Sequence, residues 1–406
     1  MRILLIHSHY RSSMPSGENV SFQSIRNLLA EAGHVVETFE RHSDDIAATR
    51  PLALFEAALL TPWNPLNHGR LARTVAHFRP DLAHVENTFP LLSPSVYWTL
   101  ARLGVPTVAS IRNYRSWCAA GIAYRDGMPC RACLDRASVR PALQHGCYRA
   151  SRPATVPLAA TIALHRRLGT LKNKPRLLIA NSAFMRQSLI ESGIPGDRIV
   201  AVPNFVRDSG ATTAWKDRDH RVLFVGRLDP EKGAADLVRA WALLPEAAPS
   251  LEIIGDGPQR RALEALAAAH GPSGRVHFTG RLDPAEVSAR MARAKLIAFP
   301  SRWYETFGRG VIEAYAHAVP ALVARIGALP ELVEPGRTGE IFAPGDAADL
   351  ASCVQRLFAD ESRLQRMAQL ARARYAQNYS PGVVLERLQA AYAQALGTTN
   401  TPAHHG

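Results

Sequence analysis

Arg227 and Lys232 lie in the segment Phe224-Val225-Gly226-Arg227-Leu228-Asp229-Pro230-Glu231-Lys232-Gly233, between a run of strand character and a run of helical character. Gly226 lets a backbone approach closely. Two cations at the mouth of a helix, whose N-terminus already favours negative charge, describe a diphosphate site. Taken alone, the segment also reads as a tight turn with two surface cations. A second constellation is Trp303-Tyr304-Glu305-Thr306-Phe307-Gly308-Arg309-Gly310-Val311-Ile312-Glu313-Ala314. The interval from Glu305 to Glu313 is about two helical turns, so both carboxylates can face one side of an element that Gly308 opens. One could accept from the hydroxyls of a sugar and the other from a ribose, with the amides of Phe307, Gly308 and Arg309 between them. Two glutamates so spaced also describe a solvated helix face. The third cluster is of sulfur. Cys118, Cys130, Cys133 and Cys147 crowd one stretch, and Cys130-Arg131-Ala132-Cys133 has the gap of a metal knuckle. Four thiolates would hold a structural tetrahedral zinc. The second knuckle is missing, so reduced, packed thiols are the other reading, and Cys353 reads as a small core residue.

These residues need a scaffold that presents strand ends to a ligand. Apolar runs of strand length alternate with longer helical patterns, the signature of parallel sheets built from βαβ units. The first half predicts strands at 2–6, 35–38, 82–85, 106–110 and 177–180, with a helix over 22–32 that stops at Gly33. The second half predicts strands at 221–225, 250–254, 276–279, 296–299 and 321–324. A polar stretch at 206–220, including the charged run Lys216-Asp217-Arg218-Asp219-His220, reads as a linker. The expected domains are therefore 1–205, with a cysteine-bearing insert at 118–147, and 206–382. A last helix at about 383–396 returns to the first domain, and the polar tail after Gly397 is expected to fray.

Length and composition narrow the class. The chain has 406 residues, 47% hydrophobic and 20% charged, which excludes disordered and fibrous proteins. No apolar run approaches the roughly 18 residues of a membrane helix. Met1–Ile6 is short and is followed at once by His7, His9 and Arg11, so it reads as a first strand in a cytoplasmic protein and not as a leader. The net charge of +13 is unevenly placed: residues 1–205 hold 24 Lys+Arg against 13 Asp+Glu, or +11, and the remainder 24 against 22, or +2. A one-sided field attracts anionic partners. His7 and His9 could line a ligand cleft or simply be core histidines. The helical stretch 155–171, with His165, Arg166 and Arg167, could rest on anionic headgroups or pack in the ordinary way.

Taken together, the two segments resemble the retaining glycosyltransferases of the GT-B fold, family 4 (bacterial group 1). Further matching pieces are Val202-Pro203-Asn204, Gly255-Asp256-Gly257-Pro258, Phe278-Thr279-Gly280-Arg281-Leu282, and Gly327-Ala328-Leu329-Pro330-Glu331 with Gly336-Arg337-Thr338-Gly339. The resemblance implies an α/β protein of two Rossmann-like domains facing across a deep cleft. It implies Arg227 and Lys232 on the donor diphosphate, Glu313 on the ribose, Glu305 on hydroxyls of the donor sugar, and backbone around Gly280, Arg281 and Leu282 against the base. Ser16-Gly17-Glu18 matches the family's glycine-rich loop, with Ser16 where a second glycine is usual. Two positions depart from the pattern. Glu86 stands where related sequences often show His, and Arg112 where the family places an active-site His that touches the donor sugar. Opposite charges at neighbouring strand ends predict a Glu86–Arg112 ion pair. Some bacterial members carry a similar cysteine-bearing insert.

The implied reaction is hexosyl transfer from a nucleoside-diphosphate sugar to a hydroxyl, with retention and with no cofactor required beyond a possible structural zinc. Expected partners are that donor and a glycan, lipid-linked or small-molecule acceptor, with peripheral contact to an anionic membrane at its inner face and no nucleic acid. Polysaccharide or lipid-linked glycan synthesis is the first expectation and secondary-metabolite glycosylation the alternative. Two further readings are a zinc-containing nucleic-acid binder and a homologue that has lost turnover.

Overall fold

The computed structural model describes residues 1–12, 16–46, 51–210, 212–270 and 274–397, except for the side chains of 51–54 and 270. The tail expected to fray lies outside the described residues. The chain forms two compact units. One comprises Met1–Ala123, Arg131–Pro203 and the chain from Leu385; the other comprises Tyr124–Cys130 and Asn204–Val384.

The first unit is built on six parallel strands: β1 (Arg2–His9), β2 (Val35–His42), β3 (Leu82–Asn87), β4 (Thr107–Ile111), β5 (Leu177–Ala180) and β6 (Ile199–Ala201). Their order across the sheet is β2-β1-β3-β4-β5-β6. Ile3, Leu4, Leu5 and Ile6 are all fully buried, because a parallel sheet is covered on both faces and its central strands are apolar without alternation. Helix α1 (Gly17–Glu31) begins at Ser16, whose hydroxyl caps the Asn19 amide. Helix α2 (Arg152–Arg167) buries Thr155, Leu158, Ala159, Ile162 and His165, so its apolar side is occupied within this unit.

The second unit repeats the plan with β7 (Asp219–Val225), β8 (Ser250–Ile254), β9 (Val276–Gly280), β10 (Ala294–Phe299), β11 (Ala321–Ala324) and β12 (Gly339–Phe342). The order is β9-β8-β7-β10-β11-β12, again parallel throughout. Helix α3 (Ala234–Leu243) follows β7 and helix α4 (Arg309–Ala316) follows β10. The C-terminal helix α5 (Pro381–Leu396) passes from one unit to the other, and its Tyr392 is fully buried in the first.

The ten expected strands are present, several of them longer than predicted. Four were missed among the described residues: β6, of three residues; β12, which begins at Gly339 and carries the polar Glu340; and two strands of two residues, Tyr124–Arg125 and Met128–Pro129, which pair antiparallel inside the expected cysteine-bearing insert. The expected linker is corrected at its charged end. Asp219 and His220 open β7, and Arg218 is buried, donating to the carbonyl oxygens of Thr213 (3.2 Å), Ala294 (3.2 Å), His317 (3.0 Å) and Ala318 (2.8 Å). A guanidinium has five donors in a fixed fork, which is why an arginine inside a polar run can pin several chain segments at once. Replacing Arg218 with Ala strands those buried carbonyls. It is expected to lower stability by about 3 kcal/mol, read as a lower urea midpoint at unchanged m-value; a loss below about 0.5 kcal/mol would place the residue among ordinary surface positions.

Candidate functional site

In an open parallel sheet, ligands bind beyond the carboxyl ends of the strands where the strand order reverses. In the second unit that point lies between β7 and β10, the strands that precede the two segments singled out by sequence. The loops after them are locked together. Gly233 has φ +70°, and a Cβ there would lie 1.9 Å from the Pro300 carbonyl oxygen, while the Arg302 amide donates to the Glu231 carbonyl at 2.8 Å. This close approach brings Lys232 Nζ to 2.8 Å from Glu305 Oε1, which also accepts from Ser301 Oγ at 2.9 Å. The Lys232 ammonium sits 5.0 Å from the Trp303 ring centre. Glu305 is backed by Gly327, where a Cβ would come within 2.5 Å of the Glu305 backbone, and its carbonyl accepts from the Ala328 amide at 2.8 Å. The Gly327-Ala328 segment therefore fixes a carboxylate on the adjoining loop.

Arg227 is half exposed, 2.9 Å from Asp229 and 3.5 Å from Glu231. Burial pushes the Glu231 carboxyl up. Arg227 and Lys232 thus stand among Asp229, Glu231 and Glu305, so any anion approaching these cations competes with internal acids. Positive potential without such competition comes from backbone. Gly308 precedes α4 with φ +111° and no side-chain cap; the Val311 amide donates to the Gly308 carbonyl at 3.0 Å, and the amides of Arg309 and Gly310 stand at the helix mouth. Arg309 Nε donates to Glu313 Oε1 at 2.8 Å, one turn along α4. Phe307 turns its side chain into the core against Tyr379, so only its backbone remains for a ligand. Beyond β9, Leu282 packs partly against the core while Arg281 is exposed. The Gly255 amide donates to the Gly280 carbonyl at 2.9 Å, and the Gly226 amide to the Ile254 carbonyl at 3.0 Å, tying the ends of β7, β8 and β9 to one another. Sequence reasoning missed Ser301 as a partner of Glu305; a hydroxyl four residues before a carboxylate was the available signal.

In the first unit the strand order reverses between β1 and β3. The predicted ion pair is present there: Arg112 Nε lies 2.7 Å from Glu86 Oε2, and Ser110 Oγ donates to Glu86 Oε1 at 3.2 Å. Adjacent register sets this up, since Val85 pairs with Ala109, which places Glu86 beside Ser110, and Arg112 follows just past the end of β4. Burial alone would raise the Glu86 carboxyl; Arg112, with His84, overrides it and holds it down to about 2. His84 bridges Tyr392 Oη (2.8 Å) and Ser110 Oγ (2.8 Å), and burial drives its pKa down. Gly17 opens α1. Its neighbour Glu18 accepts from Asn113 Nδ2 at 2.9 Å, has a second carboxylate oxygen with no hydrogen-bond partner among the described residues, and is pushed up by burial. His7 is fully buried, stacked on Phe22, and lowered by burial to about 4.

The cysteines of the expected zinc site are free thiols. No disulfide joins Cys118, Cys130, Cys133, Cys147 or Cys353. Among the described residues the only group of three or more metal-ligand atoms lying within 4.8 Å of one another is His9, Glu40 and His42, and there His9 and Glu40 already pair at 2.5 Å. The four thiols do not gather as a tetrahedral site requires. Cys133 instead packs in an apolar cluster with Ala119, Ala142, Leu158 and Ile162, with Cys147 against it. Cys353 is buried in the second core.

A family model described as glycosyl transferases group 1 matches residues 208–374, and one described as glycosyltransferase family 4 matches residues 15–209. The chain is 34% identical over 211 residues to a glycogen synthase of Mycobacterium tuberculosis, covering 50% of each protein. It is 34% identical over 243 residues to a D-inositol 3-phosphate glycosyltransferase of Nocardia farcinica, covering 54% of this chain and 52% of that one. It thus spans about half the length of these curated relatives. Among solved structures, Anabaena HepE in complex with UDP aligns with a TM-score of 0.69 and 20% identity over 97% of this chain and 100% of that one. The same protein is also known in complex with UDP-glucose.

Two predictions follow from the first unit's buried charges. Glu86→Ala strands the buried Arg112 and should destabilise by about 3–5 kcal/mol, whereas Glu86→Leu combined with Arg112→Met should recover most of that loss. Equal losses in the single and double variants, measured by denaturant titration, would show the pair to be uncoupled. His7 has its folded pKa depressed, so its contribution to stability is present above about 6.5 and is lost as pH falls toward about 4. His7→Phe keeps a ring on Phe22 and should flatten the acid limb of stability against pH by up to one proton, about 1.4 kcal/mol per pH unit; an unchanged slope would mean that His7 does not titrate there.

Proposed function

Since the chain belongs to the group 1 and family 4 glycosyltransferases and has their GT-B fold, we propose that it moves a hexosyl group from a nucleoside-diphosphate sugar to a hydroxyl acceptor with retention of configuration. The observation that carries this reading is the Lys232–Glu305 pair at the reversal point of β7 and β10, beside the uncapped end of α4 and the Arg309–Glu313 pair. The UDP and UDP-glucose complexes of the Anabaena neighbour support a donor of this class.

Breaking the bond to the nucleoside diphosphate puts positive charge on the sugar and negative charge on the departing phosphate. Arg227, Lys232 and the α4 amides supply fixed positive potential for that phosphate, the part a metal would otherwise play. Glu305, already held by Ser301 and the Gly327 segment, accepts from sugar hydroxyls. Glu313 exchanges Arg309 for the ribose, and backbone at 280–282 meets the base. In a retaining transfer the departing phosphate oxygen takes the acceptor proton on the face it leaves. The first unit takes the acceptor, a growing polysaccharide or a lipid-linked glycan, working in the cytoplasm and at the inner membrane face when the acceptor is lipid-bound. Glu86 and Arg112, standing where the family has histidines, set donor preference. Packing of Cys133 in an apolar cluster favours the transferase over the rival zinc-containing nucleic-acid reading.

The test is a thermal-shift panel of UDP-, GDP-, ADP- and dTDP-sugars. One of them at about a hundred times its Kd should stabilise by about 2.7 kcal/mol and raise Tm by roughly 3 °C for a chain of this length melting as one. Lys232→Ala and Arg227→Ala should each remove most of that shift. A panel with no shift for any nucleotide sugar overturns the reading; a shift without transfer or donor hydrolysis identifies a silent homologue.

A further inference from the structure

The first unit contains a cavity of about 200 Å³, room for on the order of ten waters. Its lining runs from Glu86 and Arg112, at the ends of β3 and β4, to Arg166 at the end of α2 and Lys172 just beyond it. Apolar walls come from Tyr97, Leu158 and Ile162 among others. The charged side chains lining it are Arg112, Arg115, Arg166, Lys172 and Glu86, four cations against one carboxylate. Glu86 is already spent on Arg112. None of the other three cations has an acid within ion-pair distance among the described residues. Arg115 lies flat over the Phe89 ring at 3.9 Å and donates to the Ala119 carbonyl at 3.3 Å. Arg166 is partly buried, and loss of solvation pulls its pKa down. Ser116, also in the lining, has a buried hydroxyl with no hydrogen-bond partner among the described residues.

A desolvated guanidinium without a counter-ion is an unfavourable arrangement, and chains normally pair or expose such a group. Here Arg166 is such a group; Arg115, which the buried Glu18 carboxylate also attracts, the exposed Lys172, an unpartnered hydroxyl and an apolar wall border the same hollow. An anion with an attached organic body satisfies all of these at once: its charge answers the cations, its oxygens accept from Ser116, and its body covers the wall. Guanidinium forks suit phosphate geometry in particular.

We propose that this cavity binds a phosphate ester, so that the acceptor of the transfer reaction is a phosphorylated one. This deepens the reading above and rests on it for the word acceptor; the phosphate site itself rests on the cavity alone. The phosphate ester could be a soluble sugar phosphate or the phosphate of a lipid-linked acceptor, and the chemistry recognised is the same.

The experiment is binding to the intact protein with its nucleotide site saturated by the nucleoside diphosphate of its donor. Soluble probes are fructose 6-phosphate and fructose; membrane probes are phosphatidylcholine vesicles with and without a tenth of undecaprenyl phosphate, with phosphatidylglycerol at equal charge as control. The phosphorylated member of one pair should bind at least about tenfold tighter than its neutral counterpart. Arg166→Gln should erase about ten- to hundredfold of that preference, with Arg166→Lys keeping the larger part. Lys172→Gln, at an exposed position that cannot disturb packing, should show the same direction more weakly. Preference confined to fructose 6-phosphate marks a soluble ester; preference confined to undecaprenyl phosphate over phosphatidylglycerol marks a lipid phosphate. Equal binding of phosphorylated and neutral probes, or variants that keep their melting temperature and full phosphate preference, overturns the inference. A protein that shifts with a nucleotide sugar but shows no phosphate preference loses this inference alone. One that prefers phosphate but binds no nucleotide sugar loses the donor reading instead.

Discussion

The contact between Gly233 and Pro300 is the constraint on which the donor-side geometry depends. With a Cβ-to-oxygen distance of only 1.9 Å in prospect, any side chain at position 233 would force the loop after β7 away from the loop after β10. Lys232 precedes that glycine and Glu305 lies five residues beyond that proline, so their 2.8 Å pairing is a consequence of backbone proximity. The same logic recurs one loop over, where Gly255 would place a Cβ 1.8 Å from the Gly226 carbonyl oxygen. The glycines of this unit are therefore spacing elements. They let strand-end loops approach closely enough for cations, carboxylates and helix amides to share one hollow.

Charge in the second unit is balanced locally. Arg227 has Asp229 and Glu231, Lys232 has Glu305, Arg302 has Asp236 at 2.7 Å, and Arg309 has Glu313. Such pairs hold side chains in position before a ligand arrives and give little net energy at partly exposed sites. In the function proposed above, ligand binding is an exchange of partners, in which an acid yields its cation to a phosphate or its own acceptor lone pairs to a hydroxyl. Discrimination follows, because a ligand that lacks the matching group leaves a pair undisturbed and gains little.

Much of this was legible in the sequence, and the reason is local. Strands such as Leu177–Ala180 and Ala321–Ala324 are apolar throughout and are bounded by polar or turn residues, so an unbroken apolar run defines them. The Glu86–Arg112 pair was foreseeable because β3 and β4 are adjacent parallel strands whose carboxyl ends lie side by side. The missed features depend on distant partners. Nothing near Arg218 in the chain reveals that carbonyls of Ala294 and His317 await it. The cysteines are the opposite case. A two-residue gap is a local pattern, whereas a metal site needs four ligands at one point, and here Cys133 has an apolar cluster to join instead.

The first unit shows what happens when charge is not balanced locally. Its excess of +11 over residues 1–205 is dispersed in sequence, and a dispersed excess on a solvated surface requires no ligand. Burial changes the case. Glu86 and Arg112 neutralise each other at the strand ends, where His84 sits with its pKa pulled down by burial, so that part of the unit is electrically quiet. Arg166 has no such partner and has lost part of its solvation as well. Screening by salt weakens an exposed cation's pull within about 8–10 Å but acts much less on a buried one. An anion that reaches Arg166 is therefore held more strongly than one resting on any exposed arginine of this chain. It is location in the cavity, and not the size of the total charge, that gives the first unit its capacity to select a ligand.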